Sequence, residues 1–260
     1  MKTTLLIPDI QYPYHDTSML DKLLDVADDI QPDQIVLIGD GPDFKEVSRW
    51  SKGTAEEYKT TLGENILGFR SDVLVQLRDA APESKIVWIE GNHCSRIKDF
   101  VRQYGFPLGS IRRWEDNEPT LSMESMFGLN PLRIEYVKGP MVIAPGVLGL
   151  HGHEAGGYAA SPAAWDLKFL RRHGSEWSVV FGHTHQGFLT TSGFGFAGDI
   201  SNRFIMNVGS IMRPETADYV KDGAVNWTHS FGLLHDDGVT TWPELIVAKR
   251  GSFMFKGEKY

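Results

Sequence analysis

Metal-binding and proton-transferring residue types recur in five short segments of this chain: Asp9-Ile10-Gln11, Gly39-Asp40-Gly41-Pro42-Asp43, Gly91-Asn92-His93, His151-Gly152-His153 and Gly182-His183-Thr184-His185. Carboxylates are hard oxygen ligands and imidazoles are borderline nitrogen ligands, a mixture that suits Mn, Fe, Co or Zn better than Ca. Asp40 is the natural bridge between two ions. Asp9 and Asp40 contribute −2, two divalent ions +4 and a bridging hydroxide −1, leaving about +1 to face a phosphate. Two ions roughly 3.5–4 Å apart can activate a water and clamp the oxygens of an in-line displacement. His93, beside Asn92 but offset by one residue, can protonate a leaving oxygen or stabilise phosphoryl charge, with Asp43 the candidate to orient its ring. The chemistry in view is phosphoester hydrolysis.

Other polar residues admit two readings. His153 can contact substrate or satisfy a backbone carbonyl. Arg96, Lys98 and Arg102 can hold a substrate phosphate or form one solvated helix face, which is the simpler reading. Arg112-Arg113-Trp114 can pair charge with base stacking or form an exposed turn.

The five segments each follow a predicted strand: Thr3 to Ile7, Gln34 to Ile38, Lys85 to Ile89, Val147 to Leu150 and Ser178 to Phe181. Short apolar runs bounded by turn signals read as buried strands. In α/β proteins, ligand-bearing loops collect beyond the carboxyl ends of strands, so residues distant in sequence can meet. Asp16 can cap a helix whose stripe is Met19, Leu20, Leu23, Leu24 and Ala27, ended by Gln31-Pro32. A second helix is predicted from Thr54 to about Ala80 on Tyr58, Leu62, Ile66, Phe69, Val73 and Leu77. A third should run from after His93 to Tyr104 and a fourth over Ala163 to Arg172. Further strands are predicted at Arg133 to Val137, Met141 to Ala144, Gln186 to Thr191, Arg203 to Val208, Thr228 to His235 and Thr240 to Val247, the last two joined at Asp236-Asp237-Gly238.

With 260 residues and 41% hydrophobic content, one domain spanning 1–260 is expected, with insertions around 44–80 and 105–131. No apolar run reaches a membrane span, and the first residues lack a signal peptide's apolar stretch and cleavage site. A lone cysteine, Cys94, excludes an intrachain disulfide and fits the cytoplasm. The net charge of −8 argues against a broad basic face for nucleic acid, though not against nucleic acid as substrate.

The five blocks, in this order, resemble the calcineurin-like metallophosphoesterase superfamily, whose pattern is DxH, GDxxD, GNH followed by an acid, a later His-bearing strand end, and GHxH. Asn207-Val208-Gly209-Ser210 is similar to the NPGS turn of small prokaryotic members, with valine for proline. The start at Pro8-Asp9-Ile10-Gln11 and Ser48-Arg49-Trp50 resemble phage-encoded members. The resemblance implies an α/β fold, a four-layer αββα sandwich of two mixed β-sheets flanked by helices, with helical insertions. It implies one metal on Asp9, Gln11, Asp40 and His185, another on Asp40, Asn92, His151 and His183, and catalysis by His93 with Asp43. Gln11 stands where the family has histidine, so a neutral amide replaces an imidazole, or the residue is structural and bonds a neighbouring loop. Cys94 replaces the acid after GNH and is given no catalytic task.

The expected activity is that of a phosphodiesterase on nucleotides or related diesters, by direct attack of a metal-bridging hydroxide. Two divalent ions are expected, Mn first, with Fe, Ni, Co or Zn as alternatives. A DNA or RNA nuclease is the rival, and a phosphomonoesterase or a non-catalytic scaffold stands behind it. The expected partner is a nucleotide or nucleic-acid phosphoester, with no membrane contact. The expected location is the cytoplasm, that of the host if the chain is phage-encoded.

Overall fold

The computed structural model describes residues 1–154, 161, 165, 177–196, 199–217 and 225–260. Two large mixed sheets carry the architecture. The first has six strands in the order β11-β10-β1-β2-β3-β4 and the second five in the order β5-β6-β7-β9-β8. In chain order the strands are β1 Lys2–Ile7, β2 Gln34–Leu37, β3 Lys85–Ile89, β4 Ile134–Val137, β5 Met141–Ala144, β6 Val147–Gly149, β7 Ser178–Phe181, β8 Phe188–Phe196, β9 Asp199–Asn207, β10 Ser230–Asp236 and β11 Thr241–Val247. Strands β1 to β4 are parallel, as are β6, β7 and β9. Their carboxyl ends therefore share one edge in each sheet.

Alternation along the strands divides the apolar residues between separate cores, because successive side chains point to opposite faces. Leu6, Val36, Ile38, Ile89, Val180 and Leu234 pack with Val147, Phe204 and Met206 in the core between the sheets. Their neighbours Leu5, Ile7, Ile35, Leu37, Ile86 and Trp88 face the helices. On the other face of the second sheet, Val179, Phe181 and Ile205 pack with Leu150 and Trp165. These strands bury both faces, which is why they read as unbroken apolar runs.

Helix α1, Thr17–Ile30, starts where the Asp16 carboxylate accepts from Met19 N at 3.1 Å and ends at Gln31 in a left-handed conformation. Its buried stripe includes Val26, while Leu24 is only half-buried. The helix expected over 54–80 is broken. A capping box between Thr61 and Glu64 starts α2, Leu62–Phe69, so Ala55–Tyr58 forms a separate 3-10 turn and Tyr58 stays 77% exposed. A π-helical turn, Arg70–Val75, then leads into α3, Gln76–Ala80. Phe69, Val73 and Leu77 of the expected stripe are buried, Leu62 and Ile66 only half-buried, and Leu74, outside it, is buried as well. Gly68 has a packing role: a Cβ there would stand 2.2 Å from the Tyr12 hydroxyl, which itself donates to Asp72 at 2.8 Å.

After β3 come α4, Arg96–Tyr104, a 3-10 turn at Phe106–Ser110 and α5, Met123–Phe127. The 105–131 stretch is anchored rather than peripheral, since Phe127 lies within 6.1 Å, centroid to centroid, of Phe44, Phe69 and Trp88. The hairpin at 236–238 joins β10 and β11 in antiparallel register. The β8–β9 hairpin begins later than expected and continues to Phe196. Ladder pairing to β9 there overrides the low strand propensity of Gly193 and Gly195. A short hairpin not foreseen in the sequence, β12 Met254–Phe255 with β13 Glu258–Lys259, seats Phe253 against Phe231. Apart from Trp165, the helix expected over 163–172 lies outside the described residues. Among the described residues no helix is long and apolar enough to cross a membrane.

Candidate metal centre

Parallel strands β1, β2 and β3 deliver Asp9, Asp40 and Asn92 to adjacent loops, and β6 and β7 deliver His151, His183 and His185 from the second sheet. Backbone bonds lock the loops together: Ile10 N and Gln11 N donate to Asp40 O, Gly182 N to His151 O and Ile211 N to Asp9 O. Two glycines are required by close approach. Gly39 has φ +116°, and a Cβ there would lie 1.9 Å from His151 Nδ1. A Cβ on Gly91 would lie 2.0 Å from Asp40 Oδ1.

Asp40 sits at the centre. Its Oδ1 accepts from His93 N at 2.8 Å, and its Oδ2 lies 3.2 Å from both His151 Nε2 and Gln11 Nε2. Burial opposes ionisation, but the charges of His151 and His93 outweigh it and hold the carboxyl well below its usual range. Asn92 Oδ1 is 2.9 Å from His151 Nε2, and His151 Nδ1 is 3.0 Å from Ile38 O. Asp40, His151 and His183 offer ligand atoms within 4.8 Å of one another. On the other side Asp9 Oδ2 accepts from His183 N at 2.7 Å and lies 3.3 Å from His185 Nε2.

The donor set fits divalent ions. Asp9 Oδ1 and Gln11 Oε1 are buried with no hydrogen-bond partner, as is His185 Nδ1. Unpaired buried oxygens are costly unless something else satisfies them, and a cation does so. His183, pushed down to about 4 by burial and by the charge of His151, keeps a free lone pair at neutral pH. Gln11, His183 and His185 all have positive φ, at 56°, 65° and 59°. Left-handed backbone at a non-glycine residue costs roughly 1–3 kcal/mol and clusters where side chains must be aimed.

His93 and Asp43 are together, with Nδ1 2.5 Å from Oδ1. Arg96 joins them: it donates to Asp43 O at 2.6 Å and lies 3.0 Å from His93 Nε2. A guanidinium only donates, so in this arrangement His93 Nε2 is the acceptor, and Nδ1 is the nitrogen turned toward Asp43. Against burial, His93, Arg96 and Lys45 lower the Asp43 carboxyl. Arg96 thus touches the expected acid–base pair rather than only facing solvent. His153 stays at the rim, its ring 6.2 Å from that of His183 and its side chain 40% exposed. Cys94 is buried in the helix-side core with its thiol pushed up by burial and by Asp40, so it presents no thiolate.

Three positioning groups carry no metal-ligand spacing and escape sequence reading by that rule. Asn207 Nδ2 donates to Gly182 O at 3.0 Å and to Thr184 Oγ1 at 2.8 Å, holding the Gly182–His185 loop. Ser210 Oγ donates to Asp9 O at 3.0 Å. Both lie in the Asn207–Ser210 turn noted in the sequence. Trp227, whose ring lies 4.4 Å from that of His185, has no local signal.

The family model described as calcineurin-like phosphoesterase matches residues 2–187. The "Gene 54 protein" of Mycobacterium phage D29 is 31% identical over 258 residues, covering 98% of this chain and 97% of its own. The "Gene 54 protein" of Mycobacterium phage L5 matches with the same identity and coverage. Among solved structures, wild-type Vps29 complexed with Zn from Entamoeba histolytica aligns at TM-score 0.48 and 14% identity over 99% of this chain and 98% of that one. Yfce, a phosphoesterase from E. coli, aligns at TM-score 0.43 and 17% identity over 90% and 89%. On the family match and the phage relatives, the chain belongs to the calcineurin-like phosphoesterase family.

Proposed function

We propose that this protein is a metal-dependent phosphodiesterase acting on nucleotides or related diesters, with two divalent ions, manganese foremost. The observation that carries the reading is the convergence of five loops on the Asp40 carboxylate, beside the unpaired buried oxygens of Asp9 and Gln11. One ion would be held by Asp9, Gln11, Asp40 and His185, the other by Asp40, Asn92, His151 and His183. The chemistry supplied there is polarisation of phosphoryl oxygens and activation of water near neutral pH.

The chain's own residues do the rest. The Asp43 carboxylate orients His93 through Nδ1, which leaves Nε2 facing the centre 3.7 Å from Asp40 Oδ2. Protonated, that nitrogen delivers a proton to the departing oxygen. Arg96, within reach of His93 Nε2, turns its guanidinium to the substrate phosphate as the proton is placed. With phage-encoded relatives, the proposed place of action is the cytoplasm of an infected host.

Hydrolysis of bis-p-nitrophenyl phosphate and p-nitrophenyl phosphate with Mn, Ni, Co, Zn and Mg tests the activity; diester turnover above monoester turnover is expected, and none with any ion overturns it. His93→Ala should lower kcat by roughly 10²-fold or more while elemental analysis finds metal content near that of the parent. Full activity in that variant removes His93 from the mechanism.

A further inference from the structure

The fold leaves a group of aromatic rings uncovered on one side of the metal centre. A cleft of about 380 Å³ begins at Asn92 and Arg96, follows α4 to Tyr104, and is bounded opposite by the loop bearing Arg49, Trp50 and Lys52. Arg96, Phe100 and Tyr104 follow one another at four-residue spacing and so share one helix face. Trp50 is 76% exposed, Tyr104 51% and Phe100 37%. Single exposed apolar residues are ordinary, but several opening into one cleft mark a binding surface.

Positive charge is layered on the same rings. The Arg49 guanidinium lies 4.6 Å from the Trp50 ring centroid and Lys52 Nζ 3.8 Å from that of Tyr104, to whose hydroxyl it also donates. Neither cation has an acidic partner among the described residues. Of the cleft's acids, Asp99 pairs with Arg102 at 3.3 Å, while Glu46 and Glu57 are turned toward neutral donors, Glu46 accepting from Thr60 and Asn65 and Glu57 from Gly53 N. In a chain of net charge −8, the cleft sets Arg49, Lys52, Arg96 and Arg102 against these three acids, so its lining is locally less acidic than the chain as a whole.

We propose that this cleft binds a single-stranded oligonucleotide leading into the metal centre, with bases stacked on Trp50 and Tyr104 and phosphates beside Arg49 and Lys52. Interleaved aromatics and cations are what single strands need, because every base has a π-face to stack and every linkage a charge to neutralise. A duplex keeps its base faces against each other and cannot use the rings. From Arg96 to Tyr104 the helix rises about 12 Å, room for roughly three stacked nucleotides at ~3.4 Å each. The proposal rests on the phosphodiesterase reading for its chemistry, and not for its binding.

Binding is measured first, in EDTA and low salt, by fluorescence anisotropy of a 5′-labelled oligothymidylate. Trp50→Ala and Tyr104→Ala should each weaken binding at least about fivefold, Trp50→Tyr should restore most of it, and thermal midpoints should stay at the parent value. A duplex of the same length should bind more weakly. The slope of log affinity against log salt should be about −1 to −2, for roughly two phosphates neutralised. Parent-like binding by both alanine variants, or equal binding of duplex, overturns the proposal. With Mn, the double variant should lose at least about tenfold in kcat/KM on the oligonucleotide and keep the parent rate on methyl p-nitrophenyl phosphate; equal losses on both overturn it. If the parent protein hydrolyses neither, the phosphodiesterase reading fails, and the EDTA binding result still decides the cleft.

Discussion

His151 meets an oxygen at each ring nitrogen, Ile38 O at Nδ1 and Asn92 Oδ1 with Asp40 Oδ2 at Nε2. Neither Ile38 O nor the Asp40 carboxylate donates, so in the metal-free protein the ring is satisfied by carrying both protons. Burial opposes that charge, yet Asp40 and Asp9 raise the group from 6.5 to about 10. A ligating imidazole must give up one proton, while the bond to Ile38 O stays to aim the ring. Uptake of Mn at pH 7 should therefore release about one proton, measured by calorimetry in buffers of different ionisation enthalpy, and affinity should rise from pH 6 to 8. No release would mean that His151 is not a ligand. The stability signs follow from the shifts. His151, raised in the folded state, stabilises fully below pH 6.5 and its share is lost as pH climbs through about 10. His183, lowered to about 4, contributes above pH 6.5 and loses that share as pH falls toward 4.

Among the elements, strands were more legible than helices. Five strand ends fell within one residue of their expected positions because a strand buried on both faces is an apolar run with turn residues at its end. Residues 54–80 read as one continuous helix in the sequence, because a stripe periodic in Phe69, Val73 and Leu77 says nothing about where chain direction changes. Thr61 and Glu64 decided that locally. Loop glycines are equally position-dependent. Gly39→Ala places a methyl against His151 in backbone that disfavours it, and should lower stability by about 2–3 kcal/mol or prevent folding. Gly63→Ala, on α2 with no atom within 4 Å of the added carbon, should raise it by up to about 1 kcal/mol. Urea midpoints for the two variants check the opposite signs.

For the whole molecule, the centre joins both sheets, so ion binding bears on global stability. At a free ion concentration about 100-fold above Kd, one site adds roughly 2.7 kcal/mol, or about 5–10 °C in Tm for a chain of this size. Scanning calorimetry with Mn and with EDTA measures the difference; coincident curves would contradict a structural stake of the site in the fold. The five ordered segments by themselves determined the family, the candidate ligand residues and the strand ends that carry them, because residue identity and local periodicity are written in the chain. Only the tertiary structure decided what no local pattern encodes. It set Arg96 against Asp43 and His93, buried Cys94 in the helix-side core, and laid Trp227 on His185. It also turned Trp50 toward the same cleft as Tyr104. Apart from the Arg96–His93 approach, three residues along the chain, these placements bring together segments far apart in sequence, and they are fixed by how the two sheets and their covering loops close on one another and by which side chains that closure leaves in water.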